Sequence, residues 1–126
     1  MPFVTITLRE QRSAAFKSAV LDAVHGSLVA TGVPQADRFQ RVIELPAENL
    51  CVDARYPDLP HDRNDNFVVI EILWSVGRSV KVKRGLLEDL MGRLKEQDID
   101  PENVMVCFKE TGWENWSFGG ERLLHA

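Results

Sequence analysis

The stretch Phe67-Val68-Val69-Ile70-Glu71-Ile72-Leu73-Trp74 holds seven apolar residues and a single charge. A run this short, rich in β-branched residues and bounded by Asn64-Asp65-Asn66 on one side and Gly77 on the other, reads as a strand. Apolar side chains at odd and even positions alike imply burial on both faces. The next segment changes period. From Ser79 to Lys95 the residues Val82, Leu86, Leu87, Leu90, Met91 and Leu94 recur at helical spacing, with Ser79 placed to cap the helix. Asn103 to Lys109 is again extended. The local order is strand, helix, strand.

The first half of the chain says the same thing. Phe3-Val4-Thr5-Ile6-Thr7-Leu8 alternates with the period of a half-buried strand. Arg12 to Ala30 follows as a helix with Phe16, Val20, Leu21, Val24, Leu28 and Val29 on one face, Gly32 as its stop and Pro34 beyond it. Phe39 to Leu45 is the second extended run. Arg12-Ser13 followed by Lys17 echoes Arg78-Ser79 followed by Lys83, and Pro34 echoes Pro101. One unit is written twice, at 2–46 and 66–110, within a single domain spanning 1–126. Pro46 to Asn66, rich in Pro, Asp and Asn, is a loop between the halves. An arm at 111–126 ends the chain, with Trp113 to Gly120 forming a hairpin or a reaching segment.

Short connections force parallel pairing and right-handed crossovers inside each unit. The expected fold is therefore α/β (α+β): two consecutive β-α-β units making a four-stranded mixed sheet with two helices on one face. The other face stays bare, and the two-sided apolar strand calls for self-association to cover it.

Composition narrows the function. The 126 residues are 44% hydrophobic and 27% charged with a net charge of −4, which is ordinary globular usage. Lys and Arg are scattered among acids, so no nucleic-acid partner is expected. No long uncharged apolar stretch occurs, so no membrane span is expected. The opening residues lack the basic and apolar regions of a signal peptide, and cytoplasm is the default location. Cys51 and Cys107 lie far apart among apolar neighbours and read as small buried or half-buried side chains. His25, His61 and His125 have no companion ligand at metal-binding spacing, so no metal site is expected.

Four features in order carry a family resemblance: the initial Met1-Pro2; Asp37-Arg38-Phe39-Gln40; the stretch from Arg63 through Asn64-Asp65-Asn66-Phe67 to Gly77-Arg78-Ser79 and Lys83; and Glu114-Asn115-Trp116-Ser117-Phe118-Gly119. Together they resemble the tautomerase superfamily, and within it the long-chain branch that includes malonate semialdehyde decarboxylase. The resemblance covers nearly the whole chain. It implies a homotrimer whose sheets wrap into a barrel with the helices outside. It also implies a small carboxylate substrate and catalysis by an N-terminal proline amine with no cofactor.

Read alone, Pro2 is a residue that starts a strand, where a missing N–H costs little. The resemblance makes it the general base, exposed as a secondary amine once Met1 is excised. Asp37 alone is a turn residue after Pro34; the resemblance sets it beside the amine, positioning a water or a substrate proton. Arg78 reads as part of a strand-to-helix turn. An arginine at a helix start opposes the helix dipole, so another role keeps it there, and a guanidinium can hold a substrate carboxylate bidentately. Arg12, its counterpart in the first unit, is a weaker candidate for that job. Trp116 and Phe118 read as interface aromatics, and by resemblance as pocket walls that bind substrate; Trp74 and Trp113 are left to packing. The branch's decarboxylases carry two arginines flanking one residue at the turn, where this chain has Val76-Gly77-Arg78. That departure puts general tautomerase chemistry ahead of decarboxylation or hydration of a three-carbon acid, with a non-enzymatic binding trimer as the rival of another class.

Overall fold

In the computed structural model, which describes residues 1–123, four strands and two long helices follow the expected order. They are β1 (Phe3–Arg9), α1 (Ala14–Ala30), β2 (Gln40–Leu45), β3 (Val68–Ser75), α2 (Val80–Glu96) and β4 (Val104–Thr111). The sheet order is β2-β1-β3-β4, with β1–β2 and β3–β4 parallel and the central pair β1–β3 antiparallel. His125 and the end of the arm lie outside the described residues.

The second helix, α2, starts after Ser79, as the sequence predicts, whereas α1 starts at Ala14, two residues later than Arg12, because Ser13 is its cap. Ser13 and Ser79 each accept a backbone N–H three residues on, from Phe16 and Val82; such caps contribute about 1 kcal/mol each. Gly32 ends α1's exit turn at φ +109°, and Gly77 turns the chain from β3 towards α2 at φ +115°. Both are left-handed positions that favour glycine. Lys17 pairs with Glu44 and Lys83 with Glu110, so each helix is tied to the strand that follows it. The repeat extends to its ion pairs.

One sheet face forms the core with the helices. Val4, Ile6, Leu8, Ile70, Ile72 and Trp74 meet Val20, Val24, Leu28, Leu86, Leu90 and Leu94, all buried. Burial alternates along β3, so within one chain only one face of that strand is covered. The opposite face carries Phe3, Ile43, Val69, Leu73 and Met105 interleaved with Arg41, Glu71 and Lys109.

Three expectations need correction. Val82 is 37% exposed because it stands at the first turn of α2, short of the buried run that begins at Leu86. Cys51 and Cys107 are both exposed: Cys51 lies in the inter-unit loop, and Cys107 pairs across from Glu71 on the bare sheet face. The third concerns the Trp113 side chain, described below. Among the described residues no helix is long and apolar enough to cross a membrane, and no three His, Cys, Asp or Glu side chains cluster as a metal site would need.

Candidate active site

Because β1 and β3 run antiparallel, the start of β1 meets the end of β3: Phe3 stands opposite Leu73. The parallel partners follow, so the start of β2 and the end of β4 lie at the same end of the sheet. There a pocket of about 660 Å³ opens, lined by Met1, the exit of α1 from Thr31 to Pro34, Asp37, Phe39, Arg78, Trp113 and Phe118. Its walls are mostly apolar and three charged groups reach it.

The first is the chain terminus. The Met1 amine lies 2.9 Å from Asp37 Oδ2, with both side chains largely buried, at 10% and 15% exposure. Asp37 Oδ1 is shielded from solvent and has no hydrogen-bond partner. Pro2, the next residue, is buried, and the Val4 N–H donates to Phe39 O at 2.9 Å. That bond fixes the terminus against the segment that carries Asp37.

Arg78 is the third charged group and, among the described residues, the one Lys or Arg on the pocket wall. Its guanidinium donates to Ser75 O and stacks over the rings of Trp74 and Trp113, 4.6 Å and 5.6 Å from their centroids. Burial lowers its pKa from the ordinary arginine value, and the Glu110 carboxylate works in the opposite direction. A guanidinium remains charged under such conditions and is well suited to a planar anion.

The arm supplies one wall of the pocket through Trp113 and Phe118. Trp113 Nε1 donates to Val76 O at 3.1 Å, and Val76 N–H donates to Thr111 O at 2.9 Å. Position 76 thus holds the arm through its backbone, while its side chain points away and is 42% exposed. Phe118 packs on Phe39 with centroids 5.2 Å apart and stacks on Trp116 at 5.7 Å.

Of the residues singled out in the sequence, Asp37, Arg78 and Phe118 line one pocket, whereas Pro2 is buried and is not among its lining residues. Trp116 sits behind Phe118 and does not line the wall. Arg12 is at the opposite end of the sheet, past the end of β1, where it donates to Asn66 at 2.7 Å. Trp113, assigned to packing alone, lines the pocket and carries Arg78. Its place straight after β4, the strand beside β3, was the available signal.

This geometry belongs to a known class. Two family models, each described as a tautomerase enzyme, match residues 37–119 and residues 2–58; the protein is a member of the tautomerase family. It is 28% identical over 124 residues to the probable tautomerase YusQ of Bacillus subtilis (strain 168), a match covering 97% of this chain and 96% of the relative. The probable tautomerase YrdN of the same organism is 31% identical over 121 residues, covering 94% and 92%. Among solved structures, malonate semialdehyde decarboxylase, whose decarboxylase and hydratase activities were given a structural basis, matches with TM-score 0.86 and 29% identity over 96% of this chain and 93% of that one. A native fused 4-OT shares the fold at TM-score 0.73 and 21% identity, covering 94% of both chains.

Proposed function

We propose that the chain, with Met1 removed, is a cofactor-independent tautomerase that uses the Pro2 amine as general base on the enol of a small 2-oxo acid. The observation that carries this reading is the terminal amine paired with Asp37 inside the pocket that Arg78 also lines. Excision of Met1 moves the terminus by one residue, about 3.8 Å between Cα atoms, so the new amine stays at the same carboxylate's side of the pocket.

Arg78 binds the substrate carboxylate through its planar fork. The Pro2 nitrogen takes the enol hydroxyl proton, the oxygen becomes a carbonyl, and the ammonium returns the proton to carbon 3. Asp37 holds the ammonium between the two transfers, since an adjacent opposite charge favours the protonated form. Arg78 acts in the reverse sense and favours the unprotonated amine that can serve as base. Phe39, Trp113 and Phe118 exclude water from the exchange.

A second reading, decarboxylation or hydration of a 3-oxo or unsaturated three-carbon acid, draws support from Asp37 Oδ1, which has no hydrogen-bond partner and in that reading would orient a water. The single arginine on the wall keeps tautomerisation in front. We further take the protein to be a homotrimer in which the bare sheet face is covered by neighbouring copies.

Retaining Met1 converts the Pro2 nitrogen to an amide, which is not basic. Protein confirmed by intact mass to keep Met1 should turn over a 2-oxo acid enol at least a hundredfold more slowly than processed protein, since general-base catalysis contributes about 10²–10⁴. Equal rates would refute the mechanism. Processed protein inactive on enol and oxo acids alike would instead point to a binding trimer, since fold alone does not assign chemistry.

A further inference from the structure

Behind the wall that carries Asp37, three positions of α1 hold the segment from Gln35 to Gln40. The Gln40 side-chain amide donates to Leu21 O at 2.8 Å. Asp22 accepts from Arg38 at 2.7 Å, an exposed pair of small worth. His25, one turn further along, places Nε2 2.9 Å from Gln35 O. A carbonyl can only accept, so Nε2 carries the proton and donates.

Of these three positions only His25 is buried, at 4% exposure. A polar ring buried beside Val24 and Leu28 is costly unless its hydrogen bond is made, and the bond goes to the backbone of an exposed turn. That turn runs from Pro34 to Asp37, closed by Asp37 N–H donating to Pro34 O at 3.0 Å. Its other end is anchored where Val33 N–H meets Leu28 O at 3.2 Å. The Gln35 carbonyl is the grip in the middle. Two residues on is the carboxylate that holds the terminal amine.

We infer that His25 is a positioning residue: by gripping the Gln35 carbonyl it fixes the 34–37 turn, and so sets the distance between Asp37 and the catalytic amine. This rests on the acid–base reading of Asp37 given above. Misplacement of a reacting group by about 1 Å costs up to about a hundredfold in rate. The effect falls on kcat, because Arg78, which binds the carboxylate, stands on a different connection.

The test uses processed full-length protein carrying His25→Leu, which keeps apolar bulk without a donor, and His25→Gln, whose amide Nε2 reaches a similar point. Amide exchange at Asp37 should quicken at least tenfold in His25→Leu and recover in His25→Gln, with exchange in the core strands unchanged. Turnover of a 2-oxo acid enol should show kcat lowered roughly tenfold or more in His25→Leu, with KM within about threefold and recovery in His25→Gln. In an Asp37→Asn background the same leucine substitution should change kcat by less than about twofold, since residues acting as one unit are not additive. Unchanged exchange at Asp37 overturns the grip. Equal loss of kcat in both backgrounds overturns positioning through Asp37. If Asp37→Asn alone leaves turnover unaltered, the acid–base reading fails and the catalytic half of this inference with it, while the exchange arm still reads the grip.

Discussion

Replacing Arg78 with alanine separates its chemical role from its structural one. The guanidinium is half-buried and lies between two indole rings, so its pair with a substrate carboxylate falls in the lower part of the range for desolvated pairs, about 2–3 kcal/mol. Arg78→Ala should then lower kcat/KM by about 30- to 150-fold, each 1.36 kcal/mol being a factor of ten. The loss should appear mainly in KM if the pair is equally strong in ground and transition states. The charge has a second effect. Arg78 and the terminal residue line the same cavity, and two like charges about 8 Å apart at an effective dielectric of about 40 repel by about 1 kcal/mol. Removing the guanidinium favours the protonated amine, so the amine pKa rises and the acidic limb of the pH–rate profile moves up by somewhat under one pH unit. Arg78→Lys is the control: it keeps the charge and so the position of that limb, but gives up the fork and the stacking, and recovers only part of kcat/KM. Thermal unfolding of both variants guards against collapse of the turn, because Arg78 also donates to Ser75 O. The reasoning is refuted if Arg78→Ala keeps kcat/KM within twofold at every pH, or if Arg78→Lys moves the acidic limb as far as alanine does.

Two further outcomes test the assembly and the second unit. Light scattering at micromolar concentration should give a three-chain mass, and Leu73→Glu on the bare face should shift it downward; a monomeric wild-type protein would contradict the homotrimer. Asn103→Asp should lower stability by about 2–4 kcal/mol at neutral pH, as burying an unpaired acceptor does, and acidification should narrow the gap to wild type by protonating the raised carboxyl; a gap independent of pH would speak against that origin.

Much of the fold was legible because both periods are strong. β3 and α2 differ in spacing within a few residues of Gly77, and the echo of Arg12-Ser13 in Arg78-Ser79 marks equivalent helix starts. What periodicity could not show is how the two units are joined. The antiparallel β1–β3 pairing decides that Arg78, and not Arg12, shares an end of the sheet with Pro2, and only the family resemblance favoured Arg78 beforehand. Pattern reading likewise missed Trp113, whose ring is half exposed yet supports a guanidinium, and the His25 grip, which exists only when α1 packs behind the 34–37 turn. The misreading of Cys107 has the same root. An apolar neighbourhood in sequence is shared between two strand faces, and only one of them is covered within the chain.

The likeness of the two units also bears on why the candidate site lies at a single end of the sheet. Asp37 and Asn103 are separated by the same number of residues as Arg12 and Arg78, so they are equivalent positions of the two units. At the first, the carboxylate meets the chain's own amine. At the second, β3 begins in mid-chain and offers no amine. Asn103, 3% exposed, instead accepts from the Asn64 N–H at 3.1 Å and donates through Nδ2 to Asn64 Oδ1 at 3.0 Å. A carboxylate there would set one of its oxygens against Asn64 Oδ1. Turning the Asn64 amide over would not relieve this, because Oδ1 also accepts from the Asn66 N–H at 2.9 Å. The amide satisfies both partners where an acid would leave one buried acceptor facing another. One chain has one N-terminus, so equivalent positions face opposite demands: a charge where an amine can pair with it, and a neutral clasp where none can.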